Sequence, residues 1–240
     1  VVNQRLKLLL RLLLASGCAL IPNSVHAQLG GKPYQQWTAE EAEALVRNSP
    51  WAQTRAEPMS VRKLDPQIEP ADTVVTVSLR SALPERQALA RLTQIRNKYE
   101  RKSEHDKAAI DAKNRVLLEC SECTDYYMVA ISPGPRSTNP RFKNLAWDRQ
   151  SLAWMKQSVE FKNEKGETRE LVRFISPDFN GGEALFYFLR FNSNGESLIS
   201  PANRRLTISF DSRIFGWAPW KRQTFEFDVT KIIVNGKVVF

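Results

Sequence analysis

Histidine is scarce in this chain of 240 residues, with two in all. His26 lies in the N-terminal leader described below. His105 sits among Glu104, Asp106 and Lys107, neighbours typical of exposed surface. A Ser-His-Asp triad needs its histidine buried beside a carboxylate, so nucleophilic catalysis of that kind lacks a base here. Cysteine is nearly as scarce, with three residues, and Cys120 and Cys123 form the one close pair. Structural zinc takes four ligands, and no second pair exists to complete such a set. The sequence holds no glycine-rich phosphate loop and no strand–helix–strand rhythm, which argues against a nucleotide-binding fold. It shows no internal repeat and no low-complexity segment.

What is present is the composition of a globular protein. Hydrophobic residues make up 42% and charged residues 25%, enough for a core that needs neither metal nor disulfide to fold. The net charge of +9 favours anionic surroundings. Arg5, Lys7 and Arg11 of the leader supply three of those charges, and the rest are interleaved with Asp and Glu. That spacing describes a solvated basic surface rather than a dedicated nucleic-acid face.

The first 27 residues read as a secretory signal. Arg5 and Lys7 precede the apolar runs 8–10, 12–15 and 18–21. Pro22, Asn23 and Ser24 break the helix, and Val25-His26-Ala27 offers a peptidase the small residues it accepts. Residues 28–240 are then the folded part. Ala15-Ser16-Gly17-Cys18 also resembles the end of a bacterial lipobox, although Ala15 stands where such a motif usually has Leu. Membrane attachment is expected only through lipidation of Cys18 or an uncleaved leader. The expected location is the periplasm or the medium.

Thr38 and Glu41 form a capping box that opens a helix over about 38–47, and Asn48-Ser49-Pro50 stops it. Trp37 and Trp51 bracket this helix and are expected to pack it against the body. Residues 53–72, rich in Pro and charge, read as surface loop. Residues 73–80 alternate as a strand. Pro84 opens a helical insertion over about 84–118, with Ala88, Leu92, Ile95 and Tyr99 on its apolar face, and Ser103 and Asp106 recap its second half. From 125 onward the texture is β. Residues 125–132 form a strand, and 159–162 with 170–175 read as a hairpin. Residues 185–191 are a densely apolar central strand. Residues 206–210 and 225–229 alternate, and Asn235-Gly236 suits a terminal hairpin turn. Seven or eight strands with short turns predict a mainly β, α+β fold: an antiparallel sandwich or half-barrel with inserted helices.

Cys120 and Cys123 are expected to form a disulfide that pins a helix-to-strand junction, given an oxidising compartment. A redox or metal role is the alternative. A thioredoxin-like pair would need its first cysteine at a helix N-terminus, and here the order is reversed. Paired carboxylates could support glycoside hydrolysis, for which Asp178, Glu183 and Asp211 lie near strand ends. The loop 214–221 carries Phe215, Trp217 and Trp220, aromatics suited to stacking on a sugar or docking a protein. No residue is assigned a catalytic, cofactor-binding or metal-ligating role.

The stretch 37–53, WTAEEAEALVRNSPWAQ, resembles the opening of a family of uncharacterised exported bacterial proteins. In that family a signal peptide precedes a Trp-Ser/Thr start, an acidic helix and Ser-Pro-Trp-Ala. The run 81–88, the strand YYMVAI and the final Asn-Gly-Lys with its apolar pair fit the same pattern. The resemblance implies an exported β-rich protein and transfers no activity or site residue. The expectation from the whole sequence is a non-catalytic domain that binds an envelope protein or a glycan, with a hydrolase as the rival.

Overall fold

The computed structural model describes residues 32–57, 73–133, 151–176, 183–215, 221–234 and 237–238. Its centre is a five-stranded antiparallel sheet in the order β1-β2-β3-β6-β5, made of β1 (Ala52–Glu57), β2 (Thr73–Leu79), β3 (Tyr126–Pro133), β5 (Leu171–Ile175) and β6 (Ala184–Leu189). A three-stranded antiparallel sheet holds β4 (Val159–Asn163), β7 (Arg205–Asp211) and β8 (Arg222–Asp228) in the order β4-β7-β8. β9 (Ile233–Val234) and β10 (Lys237–Val238) form a small terminal pair. The helices are α1 (Ala39–Arg47), α2 (Leu83–Arg96), α3 (Glu104–Glu119) and α4 (Leu152–Ser158). This is an α+β fold with a β-rich body, and among the described residues the sheets close no barrel.

Alternation decides which side of the large sheet is core. Leu79, Val129, Phe186 and Phe174 stand in one row across four strands. With Val75, Val77, Tyr127, Ile131 and Phe188 they form one face, because side chains two apart share a side. That face packs on the smaller sheet. The Phe161 ring lies 5.5 Å from Tyr127 and 5.3 Å from Phe188. β8 alternates strictly, with Gln223, Phe225 and Phe227 inward. Burying a side chain of the size of Phe161 stabilises by about 2–3 kcal/mol, and Phe161, Phe186, Phe188, Phe210, Phe225 and Phe227 are all fully buried.

Two readings of the sequence need correction. Residues 53–57, which the sequence assigns to a surface loop, belong with Ala52 to edge strand β1, paired with β2 from Ala52↔Ser78 to Glu57↔Thr73. Their polar sequence hides them. Gln53 and Arg55 point across the sandwich, where their side chains donate to the Glu226 and Thr224 carbonyls of β8. The Arg55 guanidinium lies 3.7 Å over the Phe225 ring. Backbone groups of an edge strand are thus covered by side chains, a protection against pairing with another chain. The segments 159–162 and 170–175, which the sequence reads as a hairpin, fall in different sheets: β4 pairs with β7 and β5 with β6. One isolated bridge, Lys162↔Thr168, is the trace of the turn. The helical insertion is two helices, as the recap at Ser103 and Asp106 leads one to expect, parted near Lys98, whose φ of 53° is left-handed.

α1, α2 and α3 sit on the other face of the large sheet, and α4 lies against β4 and β5. α1 has the expected capping box, with Glu41 N–H donating to Thr38 Oγ1 at 3.2 Å and Thr38 N–H donating to Glu41 Oε2 at 2.7 Å. It buries Ala42 and Leu45, and Trp37 and Trp51 are both buried. Ser103 caps α3 through Asp106 N–H. α2 departs from its expected apolar stripe. Its buried residues are Glu85, Arg86, Ala88, Ala90 and Gln94, whereas Leu92 and Ile95 are half-buried. Arg86 donates to the Leu117 and Leu118 carbonyls at the end of α3, and Asn114 donates to the Ala90 carbonyl at 3.4 Å. The two helices are tied by polar groups as much as by apolar ones. The unit holding all these elements runs from Tyr34 to Phe240. No helix among the described residues is long and apolar enough to cross a membrane.

Candidate functional site

Two clusters share the helix-covered face of the large sheet. The first begins where α3 stops at Glu119. Cys120 is its C-cap, and its N–H donates to the Val116 carbonyl. With φ of 43° it occupies the left-handed position that usually falls to glycine. A cysteine is strained there, and its side chain explains the choice. It bonds to Cys123 across one short turn, Ser121–Thr124, with the Cα atoms 5.4 Å apart. β3 begins three residues after Cys123, so the bridge pins the junction from helix to strand. Cys123 is buried and Cys120 half-buried. Arg190 secures the same turn: its guanidinium donates to the Cys123 carbonyl at 2.6 Å and its N–H to the Asp125 carbonyl at 2.8 Å.

A third sulfur completes this cluster. Met128 Sδ lies 3.7 Å from Cys120 Sγ and 3.9 Å from Cys123 Sγ. Both cysteine sulfurs are bonded to each other and carry no proton, so these are sulfur–sulfur contacts. Tyr187 closes the cluster, and Tyr126, Val172 and Leu185 pack around it. Arg173 lies 3.7 Å over the Tyr187 ring and pairs with Glu122, inside the Cys-x-x-Cys turn. The negative end of α3 points at Cys120 and disfavours a thiolate. That is the reverse of the arrangement that activates a redox cysteine.

The second cluster adjoins the first through Ser81, whose hydroxyl accepts from Met128 N–H at 3.2 Å. Arg80, just past β2, is buried and bonds to Glu183 at the entrance to β6. Arg80 Nη1 also lies 3.7 Å from Oε1 of Glu85 in the first turn of α2. Glu85 is wholly buried, and among the described residues neither of its oxygens has a hydrogen-bond partner of good geometry. Burial pushes its carboxyl up to about 7, and the Arg80 guanidinium opposes that rise. Ser78 beside it acts in the same sense as Arg80, and the Glu183 charge in the opposite one.

The other acids behave differently. Asp211 holds Arg213 at 2.5 Å and 2.9 Å, and these hydrogen bonds keep its carboxyl below the usual range. An open groove of about 540 Å³ runs between α4, β4 and β5, lined in part by Lys156, Glu160, Arg169, Glu170 and Arg222. Its carboxylates are paired, Glu170 with Lys156 at 2.6 Å and Glu160 with Lys162 and Arg222. Glu160 is held low by its Lys162 bond. A general acid needs a raised pKa and access to substrate together. Glu85 has the first without the second, and Glu160 and Asp211 are shifted the opposite way.

The residues singled out in the sequence divide as follows. Cys120 and Cys123 meet, and Glu183 is drawn into the Arg80 cluster. Asp211 lies at the end of β7, in the other sheet. His105 is 96% exposed on α3. Phe215 ends a short helical turn, with Ile214 buried beside it. Trp217, Trp220, Asp178 and Cys18 lie outside the described residues. Arg80, Glu85 and Met128 escaped the sequence reading. Each sits in an element whose local pattern is ordinary, and only strand register and helix docking bring them together. Among the described residues no group of three His, Cys, Asp or Glu is placed to hold a metal. Comparison with protein-family models, with curated proteins and with solved structures finds no match.

Proposed function

We propose that this chain is an exported, non-catalytic domain that binds a protein or glycan partner in the bacterial envelope or outside the cell. The observation that carries the non-catalytic part is the division of the acids: the raised carboxyl of Glu85 is sealed, and the more open Glu160 and Asp211 are lowered by ion pairs. Export is supported by the leader and by the Cys120–Cys123 bridge, a bond that persists in oxidising compartments. Kinship with the family of exported proteins that the 37–53 stretch resembles belongs to the same reading. The aromatic loop with Phe215, Trp217 and Trp220 is the proposed contact surface, since amphipathic aromatics supply most of the energy in such contacts.

The test uses the native protein recovered from its own cell envelope. Mass spectrometry of the mature chain is expected to begin at Gln28, and a chain retaining residues 1–27 would sink the cleaved-leader part. Crosslinking followed by a glycan array is expected to yield one partner class, lost in a W217A/W220A double variant. Turnover of a glycoside or ester substrate that disappears in Glu160→Gln or Glu170→Gln would replace this reading with a hydrolase.

A further inference from the structure

We propose that the Cys120–Cys123 pair, once reduced, forms with Met128 a three-sulfur site for monovalent copper. This inference stands apart from the partner-binding reading and rests on the sulfur geometry alone.

A metal held at a metal–thiolate distance of roughly 2.3 Å by three sulfurs in a plane separates those sulfurs by about 4 Å. Met128 Sδ already lies 3.7 Å and 3.9 Å from the two cysteine sulfurs. Two edges of the triangle are therefore built in the oxidised protein. The third edge, between the cysteines, opens when their bond is broken. A Cα separation of 5.4 Å lets rotation about Cα–Cβ move the sulfurs apart without moving the backbone.

The donor set selects the metal. Two thiolates and one thioether are soft ligands, which favour Cu(I) over harder cations. Zinc takes four ligands, and only three sulfurs converge here. His105 is exposed to solvent, and Glu122 is engaged by Arg173. The surroundings suit a low-coordinate soft ion: Tyr187 covers the site and Val172 and Leu185 line it.

The chemistry has two steps. A dithiol reductant attacks the half-buried Cys120 sulfur through one thiolate. The sulfur–sulfur bond breaks, Cys123 leaves as thiolate and takes a proton, and the second thiol of the reductant releases Cys120 as it becomes a disulfide. Two electrons and two protons have then passed from the dithiol to the protein. Cu(I) next binds both cysteine sulfurs and Met128 Sδ and displaces the two thiol protons, so the site passes from neutral to a net charge of −1.

The experiment titrates the full mature protein with Cu(I) in the absence of air, against a chromogenic Cu(I) chelator, before and after reduction with a dithiol that is then removed. One equivalent is expected to bind the reduced protein, and none the oxidised one. X-ray absorption is expected to show three sulfur neighbours. Met128→Leu conserves volume. Loss of even a supporting partner costs a metal site 10–100-fold, so this variant is expected to hold Cu(I) at least about tenfold more weakly, with two sulfur neighbours left. Reduced protein that binds no more Cu(I) than a C120S/C123S variant overturns the proposal. So does Met128→Leu binding with unchanged affinity and an unchanged sulfur count. If reduction unfolds the chain, as circular dichroism records, Cu(I) is expected to restore the folded spectrum, and failure to restore it also overturns the proposal.

Discussion

The two faces of the five-stranded sheet are built by different means. One meets the smaller sheet through Val77, Val129, Ile131, Phe186 and Phe188 against Phe161, and its stability comes from apolar area removed from water. The other meets α1, α2 and α3 and collects Arg80, Glu85, Arg86, Asn114, Glu183 and the cysteine bridge. Apolar contacts are non-directional and tolerate small shifts. Buried polar contacts are directional, and each is costly if its partner is absent. The first face accordingly supplies stability, and the second sets where the helices dock. It also gathers the three-sulfur cluster and the buried Arg80–Glu85 group, because polar and sulfur side chains buried for docking are brought within a few ångströms of one another.

This contrast can be broken from the apolar side first. Phe161→Ala empties a site that touches both Tyr127 and Phe188, and the expected loss is about 4 kcal/mol. Chemical denaturation reads it, and a loss below 1 kcal/mol would mean that the inter-sheet core is loosely packed. On the polar side, C120S/C123S removes a bridge spanning three residues of sequence. Closure of so short a loop corresponds to about 2 kcal/mol. The loss is expected as faster hydrogen exchange at the end of α3 before the sheet is affected.

Glu85 sharpens the comparison through pH. Its folded value is raised from 4.5 to about 7. Below pH 4.5 the folded and unfolded chains both keep the proton. Between there and about pH 7 only the folded chain keeps it, so ionisation favours the unfolded state and stability falls as pH rises. Above about 7 the loss is complete. Glu85→Gln is expected to leave stability at pH 4 nearly unchanged and to add on the order of 1 kcal/mol at pH 8. A variant less stable at pH 8 than the wild type would show that the Arg80–Glu85 pair outweighs the desolvation of the carboxyl. The smallest effect is expected at the exposed capping box. Thr38→Ala should cost roughly 0.5 kcal/mol.

Much of this architecture was legible in the chain. The Thr38/Glu41 box, the Ser103 cap, strands at 73–80, 125–132 and 225–229 and the bridge at Cys120 and Cys123 all follow from short-range patterns, and all are present, with strand ends displaced by one to three residues. Strand β1 was not legible, because AQTRAE lacks apolar alternation and is held by its ladder to β2 and by side chains that cross to β8. The apparent hairpin at 159–175 was misleading for a related reason. A polar turn between two apolar runs looks the same whether the runs pair with each other or with distant strands. The buried face of α2 could not be read from periodicity, since Arg86 and Gln94 are inward and Leu92 is not fully so.

The chemical neighbourhoods depended still more on the fold. Local sequence determined which residues are strand, helix or cap, because those choices rest on contacts within a few positions. It also placed the two cysteines close enough to bond. Tertiary structure alone brought Met128 against that bridge, Glu183 to Arg80, and Glu85 into a wholly buried position. The physical reason is that strand register and helix docking are settled by the burial of surfaces far apart in the chain, and a shift of one residue in β3 would turn Met128 to the opposite face.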